Sequence, residues 1–163
     1  MFYLIRHIGK IVQNDSIEQR IQAIEDKTAI KALVDKFANF ADLREMAPQA
    51  LLFTEDAVVD TYFEGQLFAS LKGRKEIQET FTAFMSGFEV SYHINGQHTA
   101  EIAGDRATAV HYCLVVLVNT VDGVKTRNAN GVYYNDEYVR QDGQWLISKR
   151  TSYFTWRDQQ AMH

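Results

Sequence analysis

Apolar positions in the first third of the chain recur at helical spacing. Ser16 and Gln19 have the spacing of a capping box, in which each side chain satisfies a backbone amide of the other residue. Apolar side chains then return every three or four residues, in two sets separated by the polar stretch 25–28. This pattern predicts two consecutive amphipathic helices, or one kinked helix, ending near Asp42. The apolar positions are Ile17, Ile21, Ile24, Ile30, Leu33, Val34, Phe37 and Ala41.

Shorter elements are predicted for the middle of the chain. Pro48 favours the first turn of a short helix that carries residues 51–53, followed by a turn at 54–56. Residues 57–63 are β-branched and aromatic, and Glu64-Gly65 allows them to reverse into a hairpin with 66–71. A third helix is expected from Gly73 to Gly87. Its inward positions are Ile77, Phe81 and either Phe84 or Met85.

Four long strands are predicted after this helix, over residues 88–102, 106–119, 126–141 and 145–156, with a glycine in each intervening turn. Helices followed by a meander are typical of an α+β fold. Strands of this length must curve, so we expect the helices to pack in the concave face of a mostly antiparallel sheet. The predicted organisation is an extension at 1–13, one domain at 14–158 and a tail at 159–163.

Composition and charge limit the classes of function that the chain can have. The 163 residues are 46% hydrophobic, enough for one domain with its own core. The net charge is −4 with no run of Lys or Arg, which argues against a nucleic-acid partner. The apolar run near the start is too short for a signal segment or a membrane span. Cys113 is the single cysteine, which fits a reducing compartment, and the expected location is the cytoplasm.

Several segments, in their order and spacing, resemble SnoaL-like domains of the NTF2-like superfamily. They are Ile17-Glu18-Gln19-Arg20, Leu52-Phe53-Thr54-Glu55-Asp56-Ala57-Val58, Gly73-Arg74-Lys75-Glu76-Ile77, Gly104-Asp105-Arg106-Ala107 and Asp142-Gly143-Gln144-Trp145-Leu146-Ile147 followed by Arg150. The resemblance covers about residues 14–158 and implies a cone-shaped domain with an enclosed apolar pocket. Its functional branch is that of scytalone dehydratase, bile-acid dehydratase and polyketide cyclase, which work without a cofactor. The fold also carries non-enzymes.

Asp42 and His93 are the first candidate catalytic pair. SnoaL-like proteins often place an acid at the pocket floor near the position of Asp42, and the dehydratase branch carries its principal histidine at the position of His93. An imidazole ionises near neutral pH, so it can accept a proton and return it. The alternatives are a solvated Asp42 at a helix end and a surface His93 on a half-exposed strand.

His111 is the third candidate, because the scytalone dehydratase pattern has a second histidine on the corresponding strand. The alternative is a core histidine bonded to a carbonyl group. In an unbulged strand His98 would face away from His93, so we expect it outside the pocket. The histidines and Asp42 form no compact ligand motif, so no metal is predicted, and the resemblance to the dehydratase branch implies no other cofactor.

Aromatic side chains are expected to line the pocket. Phenol groups can bond a substrate carbonyl while the rings fill apolar space. Two phenylalanines, Phe37 and Phe40, occupy the sites of paired tyrosines in scytalone dehydratase, which argues against the same substrate. Cys113 has no neighbouring base in the sequence and is expected to be a core residue. The candidate substrate-binding residues are Phe37, Tyr62, Tyr133, Tyr134 and Trp156.

Two functions of different classes follow. The first is a cofactor-independent lyase or isomerase, dehydratase-like, acting on a small hydrophobic cyclic substrate by His/Asp acid–base catalysis. The second is a non-catalytic ligand-binding or assembly subunit, such as the small subunit of a ring-hydroxylating dioxygenase. In either case the apolar outer face of strands 106–119 and 126–141 predicts a homo-oligomer, either a dimer or a trimer.

Overall fold

The long N-terminal helix is one continuous element. The computed structural model describes residues 16–162, in which α1 runs over Ile17–Leu43. Its start confirms the predicted capping box: the Gln19 amide donates to Ser16 Oγ at 3.3 Å and the Ser16 amide donates to Gln19 Oε1 at 2.8 Å. The helix ends at Arg44, whose φ of 61° is left-handed. The predicted extension 1–13 lies outside the described residues.

Only the second half of α1 packs on the sheet. Its inward face consists of Ile30, Leu33, Val34, Ala38 and Ala41. The first set of apolar positions is instead exposed at Ile17, Ile21 and Ile24. The apolar spacing therefore predicted helical structure correctly, but it could not show that only the second half of the helix packs on the sheet.

The elements after α1 are a short helix, a hairpin, a third helix and four long strands. Residues 54–56, predicted as a turn, belong to the first strand, whose pairing with its neighbour shifts register between Phe53 and Val58. In the third helix Met85, and not Phe84, is the buried residue near the end. The bounds are α2 Met46–Ala50, β1 Phe53–Phe63, β2 Gln66–Lys72, α3 Arg74–Met85, β3 Val90–Ala103, β4 Arg106–Val121, β5 Val124–Gln141 and β6 Gln144–Ala161.

The six strands form one strongly curved, unclosed sheet in the order β2-β1-β6-β5-β4-β3. All neighbours are antiparallel except β1 and β6, which are parallel. The β4–β5 and β5–β6 turns use Asp122-Gly123 and Asp142-Gly143, with positive φ at both residues. This geometry matches the right-handed twist of a tight hairpin. The strand β6 continues to Ala161, three residues past the predicted domain end.

Bulges in β3 and β6 change which side chains face inward. On β3 the register against β4 shifts between Asn95 and His98. On β6 the register against β5 shifts between the pairs Gly131–Trp156 and Val132–Phe154, which leaves Thr155 as an extra residue. A bulge of this kind interrupts the alternation of faces, so residues beyond it point opposite to the expected side.

The helices cover the concave face of the sheet, where the core lies in two clusters. One cluster joins α1, β1 and the sheet around Ile30, Phe53 and Ile147. The other lies below α2 and α3 around Met46, Met85 and Val115. This is the predicted α+β architecture with helices in a curved, mostly antiparallel sheet. Within residues 16–162, no helix combines the length and apolar character needed to cross a bilayer.

Candidate active site

Asp42 and His93 are in direct contact at the concave face. The Nδ1 atom of His93 lies 2.6 Å from Asp42 Oδ1. The His93 backbone amide donates to Asp42 Oδ2 at 2.9 Å, and the Ser91 hydroxyl donates to Asp42 Oδ1 at 3.0 Å. Three donors therefore converge on one carboxylate, which fixes its orientation toward the imidazole.

The two elements that carry the pair explain this contact. Asp42 occupies the last turn of α1, which crosses β3, and Ser91 and His93 are two residues apart on that strand and so share its inner face. Burial opposes ionisation of Asp42, but the hydrogen bonds from His93 and Ser91 outweigh it and hold the pKa of Asp42 below its usual value. An ionised Asp42 accepts the Nδ1 proton, so the other ring nitrogen, Nε2, is left as a proton acceptor.

A buried ion pair forms the second polar group of the concave face. Arg150 donates from Nε to Asp136 Oδ1 at 2.9 Å and from Nη2 to Asp136 Oδ2 at 2.7 Å. Tyr138 donates its hydroxyl proton to the same carboxylate at 2.7 Å. Burial opposes the charge on both partners, but their attraction raises the pKa of Arg150 and lowers the pKa of Asp136, so both are ionised.

The remaining guanidinium nitrogen, Nη1 of Arg150, is buried and has no hydrogen-bond partner among the described residues. A buried donor left without an acceptor costs about 1–3 kcal/mol. Arg150 also lines the cavity that contains His93.

Aromatic rings hold the guanidinium in place. Its central carbon lies 4.1 Å from the Phe37 ring centroid and 4.7 Å from that of Tyr134. The Tyr134 ring in turn stacks on His111, with centroids 4.5 Å apart. Burial, with the nearby Arg150 charge, lowers the pKa of His111 to about 3, so this imidazole is neutral at neutral pH. His111 thus packs on the Tyr134 ring and stabilises the aromatic rings around Arg150.

The cavity between the helices and the sheet has a volume of about 180 Å³ and an apolar wall. Its polar lining residues are His93, Arg150, Tyr134, Gln49, Thr61, Thr80 and Ser152. Six phenylalanines also line it: Phe37, Phe63, Phe68, Phe81, Phe84 and Phe154. Such a site suits a ring-sized, largely apolar ligand with few polar atoms.

Only some of the predicted site residues meet at this cavity. His93, Phe37 and Tyr134 line it, and Asp42 lies directly behind His93. His111 faces the same side of the sheet but is not part of the cavity wall. His98 also lies outside the wall, as predicted, yet it faces the concave side beside His111 because the β3 bulge reverses its direction.

Three predicted substrate-binding residues lie on the convex face of the sheet, which is the face away from the cavity. Tyr62 stacks on Tyr153, Tyr133 stacks on the other side of Tyr153, and Trp156 lies over Gly131. Placing them in the pocket was wrong. For Trp156 the physical reason is the β6 bulge, since simple alternation from Phe154, which lines the cavity, would have turned the indole inward.

Arg150 is the site residue that the sequence did not identify. It appeared only as part of a family-like segment, because alternation from Trp145 and Ile147 points residue 149, not 150, inward. The extra residue at Ser148 shifts this register. One available signal was Asp136, an acid in the middle of the inward-facing positions of β5, which requires a buried cation opposite it.

Cys113 behaves as a core residue. It is buried, and burial raises the pKa of its thiol to about 12, so it is not a nucleophile in this environment. Among residues 16–162, no group of three or more His, Cys, Asp or Glu side chains has the arrangement of a metal site.

Sequence comparison identifies the family. The model of the SnoaL-like domain matches residues 22–151, and the chain belongs to this family. An uncharacterized protein of Mycobacterium tuberculosis is 24% identical over 131 residues, which are 80% of this chain and 86% of that protein.

Solved structures show the same fold. The hexachlorocyclohexane dehydrochlorinase LinA-type3 of Novosphingobium barchaimii has a TM-score of 0.72 at 19% identity, covering 86% of this chain and 94% of that one. A candidate scytalone dehydratase of Novosphingobium aromaticivorans has a TM-score of 0.72 at 20% identity, covering 88% and 92%. These similarities extend over nearly the whole domain and establish the NTF2-like fold.

Proposed function

We propose that this protein is a cofactor-independent lyase or isomerase of the dehydratase type, in which His93 removes a proton next to a carbonyl group of a small cyclic substrate. The observation that carries the proposal is the contact of His93 with Asp42 at the wall of an apolar cavity. A dehydrochlorinase and a candidate scytalone dehydratase share the fold, which supports a dehydratase-type activity.

The proton acceptor is Nε2 of His93. When it takes the proton, the electrons of the C–H bond form a double bond to the carbonyl carbon, the π electrons of the C=O bond move to the oxygen, and the imidazole becomes positively charged. Asp42 stabilises that charge and keeps the ring in one tautomer. In a dehydration the C=O bond then re-forms, the double bond shifts to the carbon that carries the hydroxyl group, and the C–O bond of that carbon breaks, so that the hydroxyl group leaves as water with the proton from the imidazolium. In an isomerisation the proton returns to another carbon of the substrate.

Arg150 is the proposed partner of the substrate oxygen. Its Nη1 group is a buried donor without an acceptor among residues 16–162, and Asp136, Phe37 and Tyr134 contact the guanidinium from other sides. A donor fixed in this way stabilises the negative charge that develops on a carbonyl oxygen as the proton leaves. His93 and Arg150 therefore act on two neighbouring parts of one substrate.

The charges around the cavity favour a neutral substrate. With His93 neutral, as a base must be, the ionised groups are Asp42, Asp136 and Arg150, which together carry one negative charge. A carboxylate ligand would add a like charge in a poorly screened cavity. A ketone or ester oxygen can accept from Arg150 without that repulsion.

Exchange of carbon-bound protons tests the reaction without knowledge of the natural substrate. A panel of neutral ring ketones that includes 1-tetralone is incubated with the protein in D2O, and loss of the α-proton signal is followed by NMR. We expect catalysed exchange by the wild type, a decrease of about 10²- to 10⁴-fold for His93→Ala, and no exchange of a matched ring ketone that carries a carboxylate group.

His98→Gln is the matched control, because it changes a histidine of the same strand and face that lies outside the cavity. Asp42→Asn should also slow exchange, and the double variant Asp42→Asn/His93→Ala should lose much less than the product of the two single effects. Unchanged exchange in His93→Ala would refute the base assignment. Ketone binding without exchange by the wild type would favour the alternative of a ligand-binding subunit.

A further inference from the structure

The cavity beside His93 is small for a ligand site, and part of its wall is exposed to solvent. Its volume of about 180 Å³ is below the roughly 300–1,000 Å³ that ligand pockets usually have. Two phenylalanines that line it, Phe68 on β2 and Phe84 near the end of α3, are nevertheless 74% and 56% exposed. These two rings belong both to the cavity wall and to the protein surface, so they mark where the cavity opens.

The inward side chains of two paired strands lead from Arg150 toward this opening. On β6 the cavity is lined at alternate positions from Arg150 to Phe154, and each of these residues pairs with a lining residue of β1. Four residues at about 3.3 Å each put the position of Phe154 roughly 13 Å from that of Arg150. Along this distance the lining changes from charged through hydroxyl-bearing to aromatic. The three pairs are Val59 with Arg150, Thr61 with Ser152, and Phe63 with Phe154.

The rings of Phe154, Phe63 and Phe68 form a continuous aromatic series. Phe154 stacks on Phe63, with ring centroids 4.4 Å apart and 23° between the ring planes. Phe63 contacts Phe68 edge to face, with centroids 5.3 Å apart and an angle of 79°. The first two rings are half-buried and the third is exposed. A flat apolar group placed along the series therefore keeps contact with aromatic rings from the cavity to the surface.

The cavity lining offers few charges to a ligand. With His93 neutral, Arg150 is the one charged residue among the described residues that line the cavity. Ala69, next to Phe68 on β2, and Phe84 add further apolar surface at the opening. A charged or strongly polar substituent would lose water there without gaining a partner. The opening therefore favours an apolar extension of the ligand.

We infer that the aromatic series is a second subsite, which selects a neutral ring ketone that carries a further apolar ring opposite its carbonyl group. The inference rests on the proposed function, because that function places the carbonyl oxygen at Arg150. The reacting ring then fills the small cavity, and the second ring lies along Phe63 and Phe68. Phe68 and Phe84 determine specificity through contact with this second ring, remote from the reacting atoms.

The test compares the binding of 1-tetralone and 6-phenyl-1-tetralone, which carries an additional phenyl ring opposite the carbonyl group, by isothermal titration calorimetry. We expect the wild type to bind the phenyl ketone about 10-fold more tightly. Phe68→Ala should reduce this preference to about two- to three-fold and change the Kd for 1-tetralone less than about two-fold.

Leu67→Ala is the matched control. Leu67 is adjacent on the same strand and is also exposed, at 55%, but it does not line the cavity. This variant should keep the preference of the wild type, which separates a specific subsite from a general affinity of the longer ketone for apolar surface. Far-ultraviolet circular dichroism shows whether each variant is folded. If Phe68→Ala does not fold, Phe84→Ala makes the same prediction.

Three results would overturn the inference: a wild type that binds neither ketone, a wild type that binds both equally, and a preference that a folded Phe68→Ala protein retains. Exchange of the α-protons in D2O, measured on the same two ketones, tests the proposed function separately. A preference for the longer ketone without exchange would refute the reaction and leave the subsite. Exchange without that preference would refute the subsite and leave the reaction.

Discussion

The two faces of the sheet use aromatic residues in different ways. On the concave face phenylalanine rings enclose the cavity, and the polar groups among them are held by specific partners, as Asp42 holds His93 and Asp136 holds Arg150. On the convex face tyrosines form a row whose rings are partly exposed. The comparison shows that burial makes polar contacts on the concave face decisive for stability and reactivity, whereas contacts on the convex face are individually weak.

The largest expected effect is on the buried ion pair. Asp136→Asn leaves the Arg150 guanidinium charged and without a counter-ion in the core, and should lower the free energy of unfolding by about 3–5 kcal/mol. The matched change on the convex face is Asp60→Asn, which removes the partner of Lys149 and should cost less than about 1 kcal/mol. Urea denaturation of both variants measures the difference. Equal effects would contradict the contrast between the two faces.

A smaller effect on the free energy of unfolding is expected when the pH is lowered. Burial and the nearby Arg150 charge disfavour the charged form of His111 and lower its pKa to about 3 in the folded protein, from the ordinary value of about 6.5 for histidine. The unfolded chain therefore binds a proton between these values that the folded protein does not bind. Stability should accordingly fall as the pH decreases below about 6.5, by up to about 1.4 kcal/mol per pH unit for this one group.

His111→Gln isolates this contribution. Its unfolding free energy, measured by urea denaturation from pH 7 to pH 4, should decline less steeply than that of the wild type by one proton. His98, which faces His111 and also has a lowered pKa, is still present in this variant and keeps its own contribution. A variant slope equal to that of the wild type would show that His111 is not the responsible group.

The smallest expected effect is at the end of the tyrosine row. Tyr62→Ala removes one stacked cross-strand neighbour of Tyr153, and such a pair contributes about 0.2–1 kcal/mol. The decrease in the urea midpoint should therefore be slight, and proton exchange at the concave site should not change. A loss as large as that of Asp136→Asn would mean that the convex face is part of the core.

The sequence predicted the order of elements, because that order depends on regular patterns such as the helical spacing that defined α1 through Asp42. The pairing of Asp42 with His93 was instead expected from the resemblance of their positions to those of the dehydratase branch, and the two side chains are in contact. The face assignments failed where regular alternation stops. A bulge turns His98 inward on β3, and another turns Trp156 outward on β6. An extra residue at Ser148 shifts the register of β6, so simple alternation does not predict that Arg150 faces inward. No local sequence signal marks these bulges, since they result from pairing between distant strands.

Because Cys113 is buried, its reaction with a thiol reagent can report opening of the sheet. The sequence contains no other thiol, and in the folded protein this one is buried and protonated. A thiol reagent in excess should therefore react only with molecules in which the sheet has opened around β4. The rate of labelling then measures how often that opening occurs under native conditions, without a mutation or an attached dye.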